Sequence, residues 1–197
     1  DLVRSRGLGD VYKRQLLKSV VLVKLKLLFV VRITNDAEGK VVIGLLEIER
    51  GRQAEKDGVH YVLTEMLGYE PLVEHNEDGK PMIEGYHISI SHTLGYVAVI
   101  LSRDYEVGVD IEYVSDRVNR ISSRFLRDDE VFPGTTDKLI AWCAKETMYK
   151  LFSSEHLALK DIKVDPQSSL VTNMKRNITL KFQCECSSKY ILTYTWY

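Results

Sequence analysis

Residues 107–114 read VGVDIEYV. The β-branched and apolar positions are those of a buried strand, yet the stretch carries two carboxylates. Side chains alternate across a strand, so Asp110 and Glu112 point to one face while Val109 and Ile111 point to the other. The strand therefore holds two anions side by side.

The chain immediately before it, HISISHTLGYVAVILS over 87–102, alternates polar and apolar residues and then becomes fully apolar. The pattern predicts a strand, a turn around Thr93–Gly95 and a second strand, a meander feeding the carboxylate strand. Farther back, VVIGLLEI (41–48) predicts a strand and residues 50–67 a helix ended by Gly68 and Pro71. EHNEDGKPMIEG (74–85) holds a DGKP turn between short extended pieces. Downstream, residues 116–130 are charged and helical in pattern, FPGTT (132–136) is a break, and DKLIAWCAKETMYKLF (137–152) predicts a helix with Asp137 as N-cap. ALKDIKV, NITLKFQCEC and YILTYTWY predict three closing strands. VIGLLEI (42–48) can be laid on EVGVDIE (106–112), Gly44 on Gly108, with a helical region after each strand. This faint repeat, with the carboxylate pair in its second copy only, is suggestive of similar halves, expected at 16–102 and 103–197.

At 197 residues and 45% hydrophobic, the chain can bury a sizeable core without staples. A net charge of −1 with no long single-sign block argues against a nucleic-acid groove or a polybasic membrane surface. The apolar run 16–33 is interrupted by Lys18, Lys24 and Lys26, which suits a strand or strand pair better than a membrane span or a signal peptide. Residues 1–15, containing DVYKRQ at 10–15, read as a sequencing-library scar and are set aside from fold reasoning. Cys143, Cys184 and Cys186 form no CxxC pair, and an odd cysteine count suits a reducing, cytoplasmic compartment. The CxC at 184–186 is not a metal site on this reading: both thiols would share one strand face, but two ligands without partners are too few for zinc.

In the helix at 137–152, Glu146 and Lys150 stand four apart and could make an ordinary surface ion pair worth about 0.2–0.5 kcal/mol. The helix is otherwise apolar around Ile140, Trp142, Met148 and Leu151, so the pair can instead lie at the edge of a packed face. If Glu146 reaches Asp110 and Glu112, three carboxylates converge and call for a cation; all-oxygen ligation selects Mg²⁺ or Mn²⁺. A hard cation with open positions takes phosphate oxygens, and Lys80, Ser91 and His92 supply polar partners for a phosphate substrate.

The order GKP, ISISH, GVDIE, WCAKETMYK resembles the 4′-phosphopantetheinyl transferase superfamily, and its two-half Sfp type, over about residues 50–164. The resemblance implies an α+β fold, a pseudo-twofold pair of similar α/β halves with the active site between them. It implies Mg²⁺ on Asp110, Glu112 and Glu146, with Lys80, Ser91 and His92 at the nucleotide end of coenzyme A, and His92 on its 3′-phosphate. Lys150 would bind phosphate near the scissile bond with Lys145 beside it, and Glu146 would be the base. The implied reaction moves 4′-phosphopantetheine from coenzyme A to a serine of an apo acyl or peptidyl carrier protein and leaves adenosine 3′,5′-bisphosphate. The implied enzyme is a monomer. Where many relatives carry an arginine on the first-half helix, His60 stands here, with Arg50 and Arg52 as possible substitutes. The alternatives are a catalytically impaired module of the same fold that binds coenzyme A or a carrier, and an unrelated Mg²⁺-dependent phosphohydrolase, which leaves SISH and GKP unexplained.

Overall fold

The computed structural model describes residues 30–197. Residues 1–15, expected to be a scar, and residues 16–29 of the apolar run lie outside the described residues. Strand β1 (Arg32–Asp36) pairs with β2 (Val41–Glu47), and helix α1 (Arg52–Leu67) follows. The helix ends at Gly68, whose φ of 77° closes its last turn in the left-handed region. A two-stranded ribbon, β3 (Glu74–His75) and β4 (Pro81–Met82), carries the DGKP turn. Strands β5 (His87–Thr93) and β6 (Tyr96–Ser102) complete an antiparallel sheet in the order β1-β2-β6-β5.

The carboxylate strand β7 (Val107–Tyr113) does not extend that sheet. Both edges of β6 are already taken by β2 and β5, so the expected meander breaks and β7 pairs instead with the final strand, β12 (Tyr190–Trp196), which pairs with β11 (Gln183–Cys186). The two sheets face one another across a core in which Val41, Ile43, Leu45, Ala98 and Ile100 meet Val107, Val109, Ile111 and Leu192. Alternation then fixes the outer faces. Gly44 faces α1, and a Cβ there would stand 2.5 Å from Val62 Cγ1. Gly108 faces α3 (Thr135–Leu151), and a Cβ there would stand 2.3 Å from the Thr147 carbonyl. The architecture is a four-layer α/β/β/α arrangement in which each helix is brought onto its sheet at a glycine.

Between β7 and α3 runs α2 (Arg117–Phe125), shorter than the helical pattern over 116–130. The chain becomes extended at Leu126 and then turns, held by the Glu130 carboxylate accepting the Arg127 amide. Helix α3 begins before Asp137: Gly134 is its extended N-cap residue and Asp137 sits inside the first turn, where its charge favours the positive end of the helix without capping it. The C-terminal third makes five strands where the pattern shows three. NITLKFQCEC splits at the buried Phe182 into β10 (Ile178–Lys181) and β11, which belong to different sheets; β10 joins β8 (Ile162–Asp165) and β9 (Leu170–Asn173) in a small third sheet. Among the described residues, no helix is long and apolar enough to cross a membrane.

The seam between the two large sheets has its own chemistry. On β5, Ser89, Ser91 and Thr93 share the face turned toward β7, while Ile88, Ile90 and His92 take the other. The three hydroxyls accept the amides of Val109, Ile111 and Tyr113, each at 3.2 Å. These three amides on the open edge of β7 are thereby satisfied by side chains, as buried amides must be.

Candidate active site

Gly108 lets α3 lie close over β7, and this contact builds the site. Trp142, Glu146 and Lys150 recur at intervals of four, so they form one stripe of α3. The ends of the stripe meet the two strand carboxylates: Trp142 Nε1 donates to Glu112 Oε1 at 2.9 Å, and Lys150 Nζ donates to Asp110 Oδ1 at 2.7 Å. Glu146 stands between these contacts. Burial pushes its carboxyl up to about 7, and the neighbouring Asp110 and Glu112 charges push the same way against the pull of Lys150. Glu112 is raised by burial and by Asp110, opposed by its Trp142 hydrogen bond.

Asp110 is 4% exposed, and its two oxygens differ. Oδ1 accepts from Ser91 Oγ at 2.8 Å as well as from Lys150. Oδ2 is buried and has no hydrogen-bond partner. A buried carboxylate oxygen without a donor is costly, and two further carboxyls held above their ordinary range add to the same deficit of positive charge. The donor set of three carboxylates fits a hard divalent cation on this ground. Among the described residues, however, no three Asp, Glu, His or Cys side chains stand close enough together to hold a metal as placed, and Lys150 supplies the one direct counter-charge to Asp110.

Two adjoining cavities open beside this stripe. The smaller, about 230 Å³, is lined by Lys80 of the DGKP turn and by Ser89, Tyr149, Lys150 and His156, so lysines far apart in the chain face one space. Lys80 is tethered there by Glu106 at 2.9 Å; Glu106 lies below its usual range because Lys80 and His87 outweigh its desolvation. The larger cavity, about 860 Å³, shares Gly79, Pro81 and Ile90 with the first and is lined by Arg52, Glu55, Lys56, His60, His75 and His92. His92 Nδ1 stands 3.4 Å from Glu55 Oε2. Such a space, basic but for one carboxylate, suits a polyanion.

Lys80 and Lys150 thus share the smaller cavity and His92 lines the larger; Asp110 is joined to this space through Lys150, while Glu112 lines a separate cavity with Trp142 and Arg117. The Ser91 hydroxyl is buried in the seam, where it donates to Asp110 and accepts the Ile111 amide, so it orients a carboxylate. Lys145 is in another place altogether: it is 0% exposed on the far side of α3, paired with Glu130 at 2.7 Å and donating to the Leu159 and Ile162 carbonyls. One position from Glu146 is 100° around a helix, enough to turn the lysine from the stripe to the core. Arg52 and His60 line the larger cavity, whereas Arg50 is not among its walls. Lys56 and His75 are further basic walls; Arg52, Lys56 and His60 are spaced by four, a legible basic face of α1. No sequence signal marks His156.

A strand and helix that gather three carboxylates and a lysine next to a basic recess define a site suited to phosphate esters and anhydrides. Residues 106–195, from the residue before β7 through β12, match the family model of the 4′-phosphopantetheinyl transferase superfamily. No curated protein matches the chain.

Proposed function

We propose that this protein transfers 4′-phosphopantetheine from coenzyme A to a serine of an apo acyl or peptidyl carrier protein, releasing adenosine 3′,5′-bisphosphate. The observation that carries the reading is the stripe Trp142, Glu146, Lys150 laid along Asp110 and Glu112 inside the span that matches the superfamily. The larger cavity would take the adenosine end, with Arg52, His60 and His92 toward its 3′-phosphate. Lys80 and Lys150 would hold the pyrophosphate in the smaller one. Asp110, Glu112 and Glu146 would hold Mg²⁺, which when bound supplies positive charge to the phosphate oxygens. Glu146 would accept the proton of the carrier serine as its oxygen bonds to the phosphorus carrying the pantetheine. The bond from that phosphorus to the bridging oxygen breaks, and adenosine 3′,5′-bisphosphate leaves with the oxygen. Lys150 stabilises charge that grows on the phosphoryl oxygens.

We read the two sheet-plus-helix layers, each closed at a glycine, as the two halves of an Sfp-type chain. A second reading, a module of this fold that binds coenzyme A or a carrier without turnover, is favoured by Lys150, which already supplies a counter-charge to Asp110 at 2.7 Å. Incubation with apo carrier proteins, coenzyme A and Mg²⁺ separates the readings. A gain of about 340 Da on the carrier means transfer. Coenzyme A binding by calorimetry without that gain on any carrier means the second reading, and coenzyme A breakdown without it means a phosphohydrolase.

A further inference from the structure

Cys184 and Cys186 lie two apart on β11, the outer strand of the second large sheet, and so share a face. Both are exposed, and their sulfurs stand 3.7 Å apart. Glu185 between them turns to the opposite face, where Arg32 of β1 holds its two oxygens at 2.9 and 2.6 Å. The local carboxylate is thus committed elsewhere, and among the described residues no third Asp, Glu, His or Cys completes a metal-binding group with the thiols. Zinc wants four ligands and hard cations want oxygen; two thiolates alone suit a soft cation that is content with low coordination. Metal–thiolate bonds of about 2.3 Å let one ion bridge sulfurs up to about 4.6 Å apart, so a single ion can touch both thiols without moving the strand.

We propose that Cys184 and Cys186 form a two-thiolate site for one Cu(I) ion on the edge of the sheet. Binding breaks two S–H bonds and forms two S–Cu bonds; both protons pass to solvent, the copper stays monovalent, and no electron moves. The site is separate from the candidate active site. Cys184 pairs across the sheet with Thr193, and Thr193 with Asp110, a span of about 10 Å at ordinary strand spacing. The hydroxyls of Thr193 and Thr147, 2.7 Å apart, occupy the row between them.

The test is anaerobic titration of the full reduced chain with Cu(I) against bicinchoninate as competing chelator. The native protein withdraws one equivalent and develops sulfur-to-copper absorption in the ultraviolet, and Cys143→Ala, which alters the buried thiol, does the same. Cys184→Ser and Cys186→Ser each weaken binding by more than about a hundredfold, beyond the loss expected from an outer-shell partner. Both altered side chains are exposed, so matching thermal melts certify the fold of each variant. Copper left on the chelator by the native protein overturns the proposal. So does a loss below about a hundredfold in either single variant, or undiminished binding by the Cys184→Ser, Cys186→Ser double variant. None of these readings depends on transferase activity.

Discussion

Adjacent residues on α3 show how far one position can separate two fates. Glu146 lies on the stripe that runs toward Asp110 and Glu112 and is held up to about 7 by burial and by the charges of those two carboxylates. A carboxyl whose folded pKa exceeds its unfolded value of 4.5 binds its proton more tightly when folded. Its contribution to stability is therefore complete below about 4.5 and is lost as the pH rises through about 7. In chelator-treated protein, the thermal midpoint of Glu146→Gln should gain on the native chain as the pH rises across that window; parallel midpoints would show that Glu146 is not so placed. Lys145, one residue earlier, is a core residue despite its charge. Lys145→Met leaves Glu130 buried without its partner and should cost about 3–5 kcal/mol in urea unfolding, while the added Glu130→Gln change should return part of that. Native stability combined with weakened coenzyme A binding would instead return Lys145 to the recess.

At the scale of elements, the strand–helix contact is decided by what each glycine meets. A methyl at Gly108 would run into the Thr147 carbonyl, which is backbone and cannot turn aside. At Gly44 the obstacles are the Val62 and Met66 side chains, and a methionine can change rotamer. Gly108→Ala should thus cost about 1–3 kcal/mol, the usual penalty of overpacking, and should reduce transfer by moving Asp110 and Glu112 away from Glu146 and Lys150. Gly44→Ala should retain more activity; equal losses would mean that the helix spacing over Asp110 is not what the glycine protects.

The same elements show what the residue pattern reveals. The carboxylate strand, the helix with its i, i+4 stripe and the GKP turn were legible because each rests on a local period or a turn residue. The partner of β7 was not, since that choice depends on β6 having both edges filled by strands that lie far apart in sequence. The break at Phe182 was hidden because one alternating run serves two sheets in succession. Ser91 looked like a ligand contact because SISH reads the same whether its serines face a substrate or a neighbouring strand. A helix pattern gives the angle between Lys145 and Glu146 but not which face meets the core, so the burial of Lys145 is not legible in it.

For the whole molecule, the consequence of folding residues 31–197 as one unit is that Lys80, from the turn of the separate two-stranded ribbon, and Lys150, from the helix over the second large sheet, line the same cavity within one chain. No second copy is needed to bring them together. Specific activity should therefore remain flat as the protein is diluted, with light scattering reporting a monomer. A stable trimer whose activity falls on dilution would refute the two-half reading.

The hydroxyl seam also gives β7 two classes of amide. Glu106 and Val114, which flank the strand, donate to Tyr197 and Lys189 beside β12, so the even-numbered amides between them face that ladder. Val109, Ile111 and Tyr113 instead donate to rotatable Ser and Thr oxygens of the other sheet. Any slight parting of the sheets releases the second class without disturbing the first. In deuterated solvent the odd-numbered amides should exchange ahead of Gly108, Asp110 and Glu112, and a ligand that grips Lys80 and Lys150 together should slow them selectively. One strand thus carries its own isotopic record of how tightly the two layers are clasped.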